Sequence, residues 1–191
     1  MKKNGNSAIV NMVFIAMMAA IMAVCAWITI PAAVPFTLQT FAVFLAICVL
    51  GGKNGTIAVF VYILLGAVGL PVFSGFKGGI GVLLGNTGGY IIGFLFSALV
   101  MWLLEGIFGR KFSGKSKGIV ITAEFIMMLI GLIVCYAFGT AWFMVVYTRS
   151  KGALGLLTCL GWCVFPFIIP DVIKIALALF IGRRVKKAIG R

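Results

Sequence analysis

No histidine occurs among the 191 residues, and only three acids, Glu105, Glu124 and Asp171, stand against sixteen lysines and arginines. Without histidine the chain lacks the side chain that most often moves protons or binds metal near neutral pH. None of the three acids lies close to another in sequence, so a carboxylate pair for acid–base catalysis is also missing. An enzyme is not expected. Polar surface is scarce too: 63% of the chain is hydrophobic and its mean hydropathy is +1.24, far above a soluble domain. A net charge of +13 would suggest a nucleic-acid partner in a soluble protein. Here the basic residues lie between apolar runs and at the chain ends, so no nucleic acid is expected. Cys25, Cys48, Cys135, Cys159 and Cys163 fall mostly within apolar segments, are odd in number and have no histidine to share a metal. They read as small apolar fillers, with neither metal nor cofactor expected.

What is abundant is apolar sequence in long runs. At a rise of about 1.5 Å per residue, roughly 20 apolar residues cross a bilayer core, so the length suits about five to seven spans. Polar, glycine and proline punctuation predicts six helices, at residues 10–29, 38–50, 55–68, 88–108, 119–143 and 170–185. The expected class is an all-α integral membrane protein, a single membrane domain over residues 1–191. The second and third helices are short for a full crossing. Residues 153–163 are apolar, too short to cross and followed by Pro166, which predicts a helix lying at the interface. The first run follows Lys2 and Lys3 as a secretion signal would, but it exceeds the usual apolar core of one and more spans follow. It is expected to remain as the first helix.

Charge sets the orientation. With the N-terminus in the cytoplasm, the inner segments carry Lys2, Lys3, Lys53, Arg110, Lys111, Lys115, Lys117, Arg183, Arg184, Lys186, Lys187 and Arg191. The outer ones carry only Lys77, Arg149 and Lys151. That asymmetry satisfies the positive-inside rule and places both termini in the cytoplasm. The segments 31–37, 69–87 and 148–170 then fall on the external face, where a pocket built from them opens outward.

Asp171 and Lys174 are the only opposite charges close together in the apolar runs. Three residues apart, they share one helical face. A charge in hydrocarbon costs on the order of 3 kcal/mol, so such residues face a cavity or a partner. Two readings stand: an ion pair that fixes the last helix against its neighbours, or a ligand site. Pro170 suits a first helical turn, which would put Asp171 at the positive end of that helix. The external loop at 74–90, SGFKGGIGVLLGNTGGY, combines glycines, Gly88 among them, with Asn86, Thr87 and Tyr90. It reads either as a flexible turn or as backbone able to approach a ligand closely, with Asn86 donating and accepting. It is no phosphate loop, since Gly-Lys followed by Ser or Thr does not occur in it. Near the second helix, Thr37, Gln39 and Thr40 either cap the helix or touch a ligand. On the first helix Ala16, Ala19, Ala20 and Ala23 form a small-residue face, suited to internal packing or to another membrane subunit. Glu105 and Glu124 bracket the basic stretch 110–117 and are expected at the cytoplasmic boundary, paired or solvated. A channel or self-sufficient transporter is disfavoured, because neither inverted halves nor matched broken helices are evident.

Three stretches, VPFTLQTFAVFLA at 34–46, LLGAVGLPVFSGFKGGIGVLLGNTGGYIIGF at 64–94 and PFIIPDVIKIALA at 166–178, closely resemble the BioY family. These are the biotin-specific substrate-binding S components of energy-coupling-factor (ECF) transporters in bacterial cell membranes. The likeness runs over nearly the whole chain. Pro-Asp-x-x-Lys stands here where many members have Gly-Asp-x-x-Lys, which keeps the acid and the lysine. The resemblance implies the six-helix S-component fold, an external biotin pocket from the first, third and fifth loops and the last helix, and no ATPase of its own. It implies partners in the bilayer and cytoplasm: a transmembrane coupling protein, which the alanine face would contact, and two ATPases. Biotin's ureido ring has two N–H donors and one carbonyl acceptor, which Asp171, Lys174 and Asn86 can satisfy. Phe36, Phe73, Tyr90 and Trp142 are available to cover its bicycle and tail. The tail carboxylate is expected near the loops, at their amides or Lys77.

Overall fold

The computed structural model describes residues 3–32, 34–112 and 114–190, without the side chains of 3–7 and 110–112. The expected inner charges Lys2 and Arg191 lie outside the described residues. Seven helices follow in order: α1 (Lys3–Trp27), α2 (Gln39–Ala67), α3 (Ile80–Leu84), α4 (Gly88–Phe112), α5 (Lys117–Lys151), α6 (Leu156–Cys163) and α7 (Phe165–Ala188). Two-residue strands β1 (Thr29–Ile30) and β2 (Phe36–Thr37) pair antiparallel between α1 and α2, a small departure from an all-α chain. The pairing, with Leu38 N–H donating to the carbonyls of Cys25 and Ile28, satisfies backbone groups of a loop lying against an apolar body.

Among the described residues five helices are long and apolar enough to cross a membrane: α1 from Ala8, α2, α4 to Gly109, α5 and α7. The expected second and third helices follow one another directly within α2, and a break in its interior keeps them distinct. Gly51 has φ 77° and ψ 168°, a conformation open essentially to glycine alone, and the chain folds back there. A Cβ on Gly55 would lie 2.7 Å from the Cα of Ile47, and Gln39 near the start of α2 bonds Tyr62 near its end. In a straight helix, residues 23 apart would stand about 35 Å apart. α2 is thus a hairpin with limbs 39–50 and 52–67. The first N–H of the second limb, at Gly52, donates to Glu105 of α4, and Thr56 Oγ1 donates to the Gly52 carbonyl. Glu105 is thereby paired, as is Glu124, whose carboxylate lies 2.9 Å from Arg183.

α4 packs most extensively on α5, and the hairpin packs against α1, α4 and α7. The α4–α5 seam is lined with small groups: added Cβ atoms at Gly93, Gly131 and Gly139 would meet Cys135, Ser97 and Tyr90 within 3.1 Å. Such close backbone approach drives helix association where lipid supplies no hydrophobic contrast. α1 buries Met18, Ala19, Met22, Ala23 and Ala26 on the body, whereas Ala16 and Ala20 are exposed beside Val13, Met17 and Val24. The alanine face is therefore divided, with Ala19 and Ala23 used for internal packing. α6 has only eight residues, exposes Leu156 and Leu157 and buries Cys159 and Cys163, consistent with a short amphipathic piece.

One expectation fails at α7. The helix begins at Phe165, with Pro166 in its first turn and Pro170 inside it. Pro166 takes the position where a missing N–H costs nothing. Pro170 removes one helical bond in the second turn, and Asp171 lies too far along for the helix terminus to hold its charge.

The turn at Gly51 generates a stability prediction. Gly51→Ala should cost about 1–3 kcal/mol and lower the unfolding temperature of the purified protein in detergent. Gly106→Ala, at a helical site where an added Cβ meets nothing within 4 Å, should leave it unchanged or slightly raised.

Candidate functional site

The ends of the helices that carry loops 28–38, 68–87 and 152–164 surround a cavity of about 470 Å³, lined from the first loop, the third, α2, α4, α5, α6 and α7. That is within the range of about 300–1,000 Å³ typical of small-molecule sites. Its buried charges are Asp171 and Lys174, 3% and 6% exposed. Lys174 Nζ lies 2.8 Å from Asp171 Oδ1, donates to the Thr37 carbonyl at 2.6 Å and stands 4.3 Å from the centre of the Phe36 ring, a cation–π contact. Tyr136 of α5 donates to Asp171 Oδ2 at 2.6 Å. The pair therefore joins α7 to the first loop and to α5. Two ammonium protons are engaged, which leaves a third; each carboxylate oxygen accepts one bond and has room for another.

A second polar chain supports the mouth. Gln39 N–H donates to Thr37 Oγ1, whose hydroxyl donates to Gln39 Oε1. Gln39 Nε2 donates to Tyr62 OH, which donates to the Val72 carbonyl in the third loop. The third loop is ordered by its own contacts: Phe73 bridges to Lys77, Trp27 donates to the Pro71 carbonyl, and Trp142 donates to the Gly85 carbonyl. Phe76 adopts φ 56° with its ring stacked on Trp27 at 4.9 Å. Gly66 has Phe73 directly above it, where an added Cβ would fall 2.0 Å from the ring, so the absence of a side chain lets Phe73 seat in the cavity wall.

The BioY family model matches residues 1–191. The chain belongs to the BioY family. It is 41% identical over 169 residues to a biotin transporter BioY of Thermotoga maritima, covering 88% of this chain and 90% of that one. To biotin transporter BioY2 of Lactococcus lactis subsp. cremoris it is 36% identical, over 96% and 94% of the two chains. Its fold is similar to a crystal structure of the S-component for biotin from an ECF-type ABC transporter: TM-score 0.81, 30% identity, covering 98% of this chain and 95% of that one. A BioY chain with this fold is a membrane transporter component and not an enzyme.

Within this BioY chain, the cavity brings together Gln39, Phe73, Asn86, Thr87, Tyr90, Asp171 and Lys174, with Lys77 at its exposed edge. Three expected residues lie outside its lining. Phe36 lies beneath Lys174 and stacks on Phe167 at 5.3 Å. Gly88 begins α4, where an added Cβ would strike the Leu83 carbonyl. Trp142 packs over Gly89 and holds the third loop from behind. The residues not anticipated include Tyr136, Phe94, Leu132 and Phe167, which line the cavity, and the Thr37 carbonyl. No spacing could have paired Tyr136 with an acid 35 residues away; its hydroxyl within the apolar run GLIVCYAF was the available signal.

By letters alone, residues 109–118, GRKFSGKSKG, satisfy both GxxxxGK[ST] and GxSxG. Neither motif has its structural context: α4 precedes the stretch through Phe112 and Ser116 is the N-cap of α5, whereas both motifs need a strand turning into a helix.

The buried pair predicts its own mutant energetics. Lys174→Met leaves a buried carboxylate without its cation and should destabilise the protein by about 3–5 kcal/mol, read as a large fall in unfolding temperature. Lys174→Met combined with Asp171→Leu should recover much of that loss.

Proposed function

We propose that this chain captures biotin in an outward-facing pocket and delivers it across the membrane together with an energy-coupling module. The single observation that carries this reading is the buried Asp171–Lys174 pair at the base of a small-molecule cavity, in a chain of a family whose similar members are named biotin transporters. The ureido carbonyl takes the remaining Lys174 proton, and one ureido N–H donates to Asp171. The other reaches Asn86, whose amide has no hydrogen-bond partner among the described residues. Phe73, Tyr90 and Phe94 cover the bicycle, and the tail carboxylate points to Lys77 at the exposed edge.

In this reading the two limbs of α2 cross as separate spans, giving six crossings with both termini in the cytoplasm of a bacterial cell. The limbs are about 18 and 24 Å long, so the bilayer thins beside them or the turn at Gly51 sits below the headgroups. The energy comes from partners, a transmembrane coupling protein and two ATPases. Ala16 and Ala20, exposed on α1, offer the coupling protein a small-residue surface, with Ala19 and Ala23 giving that surface rigid backing.

Titration calorimetry on the purified, biotin-free chain tests the capture step. The unmodified protein should bind biotin tightly, and Asp171→Asn and Lys174→Ala should each abolish measurable heat while remaining folded by circular dichroism. A folded preparation that binds no biotin would overturn the assignment. The pose has a separate test in biotin methyl ester. An exposed lysine–carboxylate pair is worth about 0.2–1 kcal/mol, so the ester should bind within about fivefold of the acid, and Lys77→Ala should remove the difference. A loss of about a hundredfold, near 2.7 kcal/mol, would place the carboxylate deep in the site instead.

A further inference from the structure

On the opposite half of the molecule from the cavity, a groove of about 700 Å³ lies along α4 and α5. Leu104 and Phe108 of α4 and Ile119, Ile126 and Ile130 of α5 line it, and Ser116 closes one end. From residue 116 to residue 130 the groove extends about 21 Å along α5, more than half of a hydrocarbon core of about 30 Å. Its apolar surface comes mainly from these long side chains, with Gly118, Thr122 and Ala123 between them on α5. Ile119, Ile126 and Ile130 remain 39–50% exposed.

Charge identifies the occupant. From the last turn of α4 to the first residue of α5, residues 110–117 carry Arg110, Lys111, Lys115 and Lys117 and no acid. The two nearest carboxylates are engaged elsewhere, Glu105 with the Gly52 N–H and Glu124 with Arg183. Lys115 and Lys117 are exposed beside Ser116, at the same end of the groove. An apolar channel of acyl-chain length, ending in uncompensated cationic charge at the level of the headgroups, matches an anionic lipid and not a neutral one.

We propose that this groove is a binding site for an anionic glycerophospholipid, with an acyl chain between α4 and α5 and the phosphate at Lys115 and Lys117. The site is separate from the biotin cavity and does not depend on that assignment.

Native mass spectrometry of the full chain tests it, with phosphatidylglycerol and phosphatidylcholine of identical acyl chains competing at equal mole fraction. A lysine near a charged headgroup contributes roughly fivefold, so phosphatidylglycerol should be retained with a preference of about tenfold or more. Lys115→Ala with Lys117→Ala should bring that preference close to unity, and Lys115→Arg with Lys117→Arg should preserve it. Ile126→Trp fills the groove and should lower retention of both lipids. Thermal unfolding verifies that each variant is folded. Equal retention of the two lipids, no retention of either, a preference that survives the alanine pair, or indifference to Ile126→Trp would each overturn the proposal.

Discussion

Asp171 and Lys174 are charges that hydrocarbon would not tolerate apart, and much of the architecture at one end of the molecule follows from keeping them together. Their mutual contact alone would not offset the desolvation of two ions. The remaining bonds make the difference: the Thr37 carbonyl and the Phe36 ring for the ammonium, the Tyr136 hydroxyl for the second carboxylate oxygen. The first two belong to β2 and the third to α5, so the pair sets where the first loop, α5 and α7 stand relative to one another. Pro170 weakens the early part of α7, which makes the side-chain attachments at Asp171 and Lys174 more important for placing that end of the helix.

At the other end the constraint is a turn. Gly51 reverses α2 within a single residue, and Glu105 accepts the first amide of the returning limb. In this hydrophobic chain a free helix terminus would expose an unpaired N–H, and one of only three acids is used to satisfy it. The hairpin is therefore held by polar contacts at both extremes: Gly52 ties its turn to Glu105 of α4, and Gln39 and Tyr62 join its open ends. Along its length the limbs pack by shape alone.

Much of this was legible in the sequence because hydrophobic length and charge spacing are local. The apolar runs gave the crossing helices, and the three-residue spacing of Asp171 and Lys174 gave the pair. Helix ends were less legible. α5 runs eight residues past its expected end to Lys151, because Val145, Val146 and Tyr147 continue the helix beyond the apolar core. α7 starts five residues early because Pro166, not Pro170, takes the first turn. The supporting partners could not be read at all: Tyr136, the Thr37 carbonyl and the placement of Trp142 behind the third loop depend on which helices become neighbours. That is a property of the packed body, and no short motif encodes it.

The Lys174–Thr37 contact has a further consequence. The strand β2 and the loop before it are held to the last helix by a bond internal to the chain, and Gln39 and Tyr62 extend that attachment to the third loop. The polar groups at the base of the cavity are thus already oriented by the protein itself. A ligand meeting them need not supply the entropy of assembling the site, so its binding energy is retained as affinity. Such preorganisation favours slow release of a ligand that satisfies those groups.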